Sequence, residues 1–308
     1  MSEMMRVAVI GAAIVDIFAK SKPNIVHGSS NPAFISVASG GVARNIAENL
    51  SRLGAAVDFV TAIGDDTFGD FLRERCAGCG IDSGAWIVRR GMSTAVYIAA
   101  LNNDGELYSG FNSTSILESV KTDELVPYRE MIGRSDLVIV DANLTEEAIS
   151  EVISMAGRIP VMADTVSVAK APRLTSFLPQ LGIIKANRAE AASLTGLRIE
   201  TEDDVRRVCR ELLSRGVARV FITLGAGGVC AADNDKVFFI PVVPVEVRNV
   251  IGAGDAFSAG IALYSRRDLL TQARFGALCA ALTLKADEPV NPTLTISAAE
   301  KLMQFLWT

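Results

Sequence analysis

The stretch Asn249-Val250-Ile251-Gly252-Ala253-Gly254-Asp255-Ala256-Phe257-Ser258-Ala259-Gly260 constrains the fold most, because it reads as strand, glycine turn and helix in succession. Val242, Val243, Val245 and Val247 form a β-branched run before it, and Ala256, Phe257, Gly260, Ile261 and Leu263 follow at helical spacing. Gly252 and Gly254 can take backbone angles closed to other residues, so successive N–H groups can converge at the positive end of the helix starting near Asp255. That point suits an anion. The Asp255 carboxylate can accept a proton from a hydroxyl while the turn Gly252, Ala253 and Gly254 holds the charge building on a transferring phosphoryl group. Phosphoryl transfer asks little more of a protein than this positioning. Asp255 reads equally as an N-capping residue after a tight turn, so other stretches must decide.

The 308 residues can bury a sizeable core, and with half of them hydrophobic and 21% charged the chain is globular rather than disordered. Thirty basic and 35 acidic residues leave a net charge of -5, and no basic run exceeds Arg89-Arg90 or Arg206-Arg207. This argues against broad binding to nucleic acid or a membrane surface. The start Met-Ser-Glu-Met-Met-Arg lacks the apolar core of a leader, and no uncharged apolar stretch reaches ~18–20 residues. The expectation is a cytoplasmic protein. Cys76-Ala-Gly-Cys79 has no second pair to complete a zinc site, and reads as reduced thiols at a helix end closed by Gly78 and Gly80.

Taken in order, Arg6–Ile10 is a buried-strand run, and Asp16 falls just past its end, where α/β proteins place ligand contacts. Asp16 reads as well as a polar residue on a half-exposed strand. Gly40 and Gly41 open a helix with Ile46, Ala47, Leu50 and Leu53 on its apolar face. The glycines let backbone approach a ligand, and Arg44 and Asn45 in the first turn can point at it. Between residues 85 and 113 the texture changes to short strands around the Asn102-Asn103-Asp104-Gly105 turn. With segments near 14–39, these predict a small β-sheet lid.

From residue 137 the chain alternates: strand 137–140, a helix from Thr145, strand 161–163, a helix from about Ala169, strand 182–184. That rhythm predicts a mostly parallel sheet with helices on both faces, and strand ends carrying Asp141, Asn143, Asp164, Lys185 and Asn187. Asn187 and Glu190 share one helix face; the carboxylate can hold Mg²⁺ through water, and the pair also fits a capping box. Thr223, Gly225 and Gly228 form a glycine turn followed by β-rich sequence. This is not a dinucleotide fingerprint, and no P-loop sequence occurs.

Gly40-Gly41 with Asn45, Asn187-x-x-Glu190, Thr223-x-Gly-x-x-Gly228 and Gly252-Ala-Gly-Asp255 stand in the order and rough spacing of the ribokinase-like, or PfkB, carbohydrate kinase family. The resemblance spans nearly the whole chain. It implies one α/β, three-layer domain over residues 1–308 with a mostly parallel central sheet and the small lid, ATP as donor and Mg²⁺ as cofactor. By matching positions, Asp255 is the expected base and Gly252, Ala253 and Gly254 the anion hole. Asp16, Gly40, Gly41, Asn45 and Asn112 are expected at the acceptor, Asn187, Thr223, Gly225 and Gly228 at ATP, and Glu190 at the metal.

Within the family the chain resembles the pseudouridine kinases, through Ser30-Asn31-Pro32, Asp141-Ala-Asn143, Lys170, Asn249 before the turn, and Asn291-Pro292-x-Leu294. Ile14 departs from an Asn that many members use to hold acceptor hydroxyls, and Ala33 from a Gly. The resemblance implies phosphorylation of a small nucleoside or sugar, pseudouridine first, with ribokinase or another nucleoside or sugar kinase as the alternative. A non-catalytic ligand-binding member is the reading from another class. A homodimer through the lid is the further partner expectation.

Overall fold

Two sheets of opposite character organise the computed structural model, which describes residues 4–307; the Met1–Glu3 start read above for a leader, and Thr308, lie outside the described residues. The chain opens with β1 (Arg6–Ile10), β2 (Ile14–Ser21) and β3 (Ala33–Gly40), then β4 (Ala56–Val60) and β5 (Ala62–Gly64) after a helix. Next come β6 (Ile87–Arg89), β7 (Val96–Leu101) and β8 (Leu107–Ser113). The strand–helix alternation supplies β9 (Leu137–Asp141), β10 (Val161–Asp164), β11 (Ile183–Asn187) and β12 (Arg219–Thr223), and β13 (Val229–Ala232) and β14 (Val237–Ile240) follow.

The large sheet runs β14-β13-β12-β11-β10-β9-β1-β4, parallel from β12 to β4 and antiparallel at β13 and β14. Its central strands are apolar without alternation because both faces are covered. Ala8, Ile10, Val138 and Val140 point into one core with the helices Glu146–Ala156 and Glu202–Ser214. Val7, Val9, Leu137 and Ile139 point into the other, against Val42–Arg52, Ala253–Leu263 and Leu269–Leu284. All eight are at most 1% exposed, and each large aliphatic side chain buried this way contributes about 1.5–3 kcal/mol.

The small sheet is β3-β2-β7-β8, with β2 and β7 parallel and its other pairs antiparallel. Residues directly paired share a face. One row is Ala38, Asp16, Tyr97 and Asn112; the next, on the opposite face, is Val37, Ile17, Ile98 and Phe111. The 85–89 stretch expected in this sheet is not part of it: β6 pairs parallel with β5 in a separate two-stranded sheet.

Two other expectations are corrected. The segment from Ala169 forms a 3₁₀ helix, Ala171–Gln180, rather than a regular α-helix; Pro179 inside it removes a donor an α-helix needs, while Pro172 sits in the first turn, where no donor is lost. The Val242–Val247 run is irregular rather than a strand, since Pro241 and Pro244 cannot join a ladder. No helix among the described residues is long and apolar enough to cross a membrane.

Candidate active site

Gly252 caps the helix Ala253–Leu263 with φ 80° and no side-chain cap. A Cβ there would strike the Pro289 carbonyl, so only glycine fits. The first N–H groups of the helix are therefore left to whatever anion the turn receives. Asp255 is the third residue of this helix rather than its cap, which removes the capping reading. Its Oδ2 accepts a 2.7 Å hydrogen bond from Asn45 Nδ2, joining the helix Val42–Arg52 to the helix Ala253–Leu263 across the site. Burial pushes the Asp255 carboxyl up to about 7, against the pull of Lys185 and the Asn45 bond, with Asp164 and Asp141 adding repulsion.

The Gly41 turn is fixed by a second carboxylate. Asp141, fully buried at the end of β9, accepts from Ala12 N at 2.9 Å, Ala43 N at 3.1 Å and Asn143 N at 3.0 Å. It ties the loops after β1 and β9 to the start of a helix. Gly41 (φ 97°) could not carry a Cβ beside the Ala12 carbonyl. Asp16 lies against Gly40, and burial raises it to about 6 while Arg44 opposes the shift. Asn112 shares the Asp16 face of the small sheet but stands two strands away and exposed, about 10 Å by strand spacing.

Arg44 does not point at a ligand as the sequence suggested. Its guanidinium donates to Ser39 O and Asn45 Oδ1 at 2.8 Å each and pairs with Glu48, so it braces Asn45. Asn31 likewise closes its own loop, accepting from Val26 N at 2.8 Å and donating to Val26 O at 3.0 Å. In the loops after β9 and β10, Lys170 donates to Asn143 Oδ1 at 2.5 Å, while buried Asn143 Nδ2 has no partner among the described residues.

Asn187 and Glu190 form a capping box: Glu190 N donates to Asn187 Oδ1 at 2.9 Å, and Glu190 Oε2 accepts from Asn187 N at 2.8 Å. Glu190 also accepts from Asn187 Nδ2 and Thr165 Oγ1, at 2.7 Å each. Three of about four acceptor positions on the carboxylate are used, leaving one for a metal-bound water. An oxygen donor of this kind suits Mg²⁺, which is held by one or two carboxylates and substrate phosphates and keeps several waters.

Thr223, Gly225 and Gly228 border an apolar cavity of about 570 Å³ that Gly254 closes on the Asp255 side. The irregular Val242–Val247 segment lines it, with Ala277, Ala280 and Leu284 from the helix Leu269–Leu284. The valines that resembled a strand form one wall of a cavity in the size range of small-molecule sites.

The sheet order and the carboxylate beside an open helix turn define a class, the α/β kinases of ribokinase-like fold. Solved structures agree. A carbohydrate kinase from Agrobacterium tumefaciens superposes with a TM-score of 0.84 at 28% identity, over 98% of this chain and 97% of that one. A ribokinase from Arabidopsis thaliana complexed with ribose and ATP superposes at 0.86 and 21% identity, over 98% and 100%, a likeness of fold. In sequence, the chain is 30% identical over 307 residues to the pseudouridine kinase of Escherichia coli (strain K12), covering 99% of this chain and 98% of that protein. Residues 4–296 match the pfkB family carbohydrate kinases, and the chain belongs to that family. It is a sugar or nucleoside kinase of a family that uses ATP.

Lys185 is the site residue that sequence reasoning left without a role. A lysine at a strand end is an ordinary sight, and only its place among buried carboxylates marks it; that place is set by residues up to 70 positions away in the chain.

Proposed function

We propose that the chain transfers the γ-phosphoryl group of ATP to the 5′-hydroxyl of pseudouridine. The observation that carries the choice of a base-bearing acceptor is the unfilled, buried amide of Asn143 beside Lys170. A buried donor without a partner costs about 1–3 kcal/mol, and a ring carbonyl of the base, which accepts without bringing a donor of its own, suits that amide N–H. The similarity to a pseudouridine kinase over the full chain supports the same reading.

In this mechanism Asp255 takes the hydroxyl proton, the acceptor oxygen bonds to the γ-phosphorus, and the bond from that phosphorus to the ADP oxygen breaks. The N–H groups of the Gly252, Ala253 and Gly254 turn hold the charge that spreads over the phosphoryl oxygens. Asp16, Gly40, Gly41, Asn45 and Asn112 hold the acceptor under the small sheet, which acts as a lid. Thr223, Gly225, Gly228 and Asn187 border ATP, with the adenine in the apolar cavity. Glu190 would hold Mg²⁺ through water, and the ion would supply charge that neutralises the ATP phosphates. The apolar Val37, Ile17, Ile98 and Phe111 row on the outer face of the lid packs against a second copy in a homodimer.

Side-by-side ADP-release assays with pseudouridine, uridine, adenosine, ribose and fructose test the acceptor. Pseudouridine is expected to give a kcat/KM at least ~10-fold above ribose, the discrimination expected from one contact. A preference for a free sugar removes pseudouridine and leaves the family activity standing.

A further inference from the structure

An asparagine amide is two-ended, an acceptor on one side and donors on the other, and Asn45 meets a different kind of partner at each end. Its Nδ2 donates to Asp255 Oδ2 at 2.7 Å, and its Oδ1 accepts from Arg44 Nη1 at 2.8 Å. A guanidinium can only donate, whereas a carboxyl accepts when ionised and donates when protonated. Arg44 therefore fixes which way round the amide stands. With Oδ1 taken, Asn45 presents only N–H to Asp255, and an N–H is the partner of the ionised carboxylate, the form that takes a proton from a hydroxyl.

Arg44 is itself held from several sides. Its Nη1 also donates to Ser39 O in β3 at 2.8 Å, and its Nη2 pairs with Glu48 one helical turn on. Arg44, Asn45 and Glu48 are all buried. Glu48 is shared with Arg52, whose Nη2 and Nε lie 2.6 and 3.0 Å from its Oε1, and Arg52 Nη1 donates to Pro292 O at 2.9 Å. The loop that carries Pro292 also sets the Pro289 carbonyl against Gly252. The row thus leaves the base along one face of the helix Val42–Arg52 and returns to the turn that precedes the base. Other charged groups face Asp255 from the sheet, namely Lys185 on β11, Asp164 on β10 and Asp141 on β9, and none of them bears on the amide's orientation. Facing Arg44 are Asp16 on β2 and the thiols of Cys76 and Cys79 at the end of the helix Thr67–Ala77.

We propose that Arg44 is a positioning residue for the base: by holding Oδ1 of Asn45 it keeps the amide N–H on Asp255 and so favours the carboxylate over the carboxylic acid. This rests on the phosphoryl-transfer reading above, in which Asp255 takes the hydroxyl proton. Arg44 touches neither acceptor nor phosphate and acts only through the amide between it and the base.

The test compares R44M, which keeps length without donors, with N45A and with R44M/N45A. In R44M the Asp255 midpoint is expected to rise by about one pH unit, the scale of one hydrogen bond to a charged group. The loss in kcat/KM is then ~10-fold larger at pH 6 than at pH 9. In the N45A background R44M is expected to add less than ~2-fold at either pH, because the amide through which it acts is gone. Glu48 keeps Arg52 as a partner in R44M, and R44M/E48M, which exchanges the buried pair for two apolar chains, gives the same reading should R44M fold poorly. An acid limb that stays in place overturns the proposal, and so does a shift of equal size with and without Asn45. NMR of isotope-labelled aspartate carboxyls, with Asp255 assigned from D255N, follows the same midpoint without turnover. Should wild-type protein release no ADP with any acceptor, the phosphoryl-transfer reading fails, and the NMR midpoint still decides whether Arg44 acts on Asp255.

Discussion

The two larger sheets use apolar residues in opposite ways. In the large sheet every residue of β9 is buried and successive side chains feed separate cores. In the small sheet Val37 is 45%, Ile98 40% and Phe111 63% exposed, in one row. The first sheet's apolar residues make the fold. The second sheet buries Val15 and Ala99 but leaves the Val37, Ile98 and Phe111 row outside the core, so its two faces divide other tasks: Asp16 and Asn112 face one way, the apolar row the other. Catalytic effects should therefore track the large sheet's strand ends, and association should track the small sheet's outer face.

The sharpest way to break that division is to exchange the effects. Asp255→Ala is expected to lower kcat by ~10²–10⁴, the range for a positioned general base, without changing the association state. Steady-state kinetics and sedimentation velocity on the same sample check both halves. A variant with near wild-type turnover removes Asp255 from the mechanism.

The pH profile follows from the same residue. Asp255 must be ionised to accept a proton, so kcat/KM is expected to rise with pH to a plateau, with an acid-limb midpoint near 7. Stability runs the other way. A carboxyl whose folded pKa lies above its unfolded value favours folding below the unfolded value, and that contribution is lost as pH rises through about 7. Asp255→Asn should thus raise Tm relative to wild type more at pH 8 than at pH 4. A Tm difference that does not change with pH would contradict the raised carboxyl.

On the small sheet, Ile98→Glu places a charge in the apolar row and should shift the protein toward monomer. Sedimentation across a concentration series reads this. Turnover per protomer should fall far less than for Asp255→Ala; a loss of comparable size would show that the two faces are not separate.

How much of this the sequence discloses differs between the sheets for physical reasons. A parallel strand covered on both faces is a continuous apolar run, so β1, β9 and β11 are legible from their residues alone. Gly252 and Gly41 are legible because their positive φ values demand glycine. The partner of β6 is not, since a three-residue strand carries too little pattern to say whether it joins β5 or β2. Val242–Val247 misleads because β-branched residues suit a cavity wall as well as a sheet, and the prolines that decide the matter act through absent donors. Lys185 and the bracing role of Arg44 depend on contacts that only the folded chain brings together.

Smaller effects sharpen the picture at Glu190. Its cap to Asn187 and its bond from Thr165 mean that Glu190→Gln disturbs the helix start, at about 0.5–2 kcal/mol for a lost cap. Apparent Mg²⁺ affinity should fall by more than stability does. A collapsed Tm with unchanged Mg²⁺ dependence leaves the residue as a cap only.

The slightest expected response is to K⁺. Asn249 spans two loops, donating to Asp287 O at 3.0 Å and accepting from Ile251 N at 2.9 Å. A neutral amide presents a weaker field to a cation than a carboxylate does. Replacing Na⁺ by K⁺ at fixed ionic strength should change the rate little, and strong stimulation would refute this.

The Asn45 to Asp255 bond joins residues 210 positions apart, and its consequence is temporal. Asn45 leaves the ribosome long before its partner exists, and β1 must wait in the same way for β9, some 130 residues later. Contacts of such long sequence separation form slowly and late. A nascent or truncated chain can therefore hold much of its secondary structure with no working base, and in refolding the recovery of activity should lag the recovery of helix and sheet. Catalytic competence becomes a report on the completed chain.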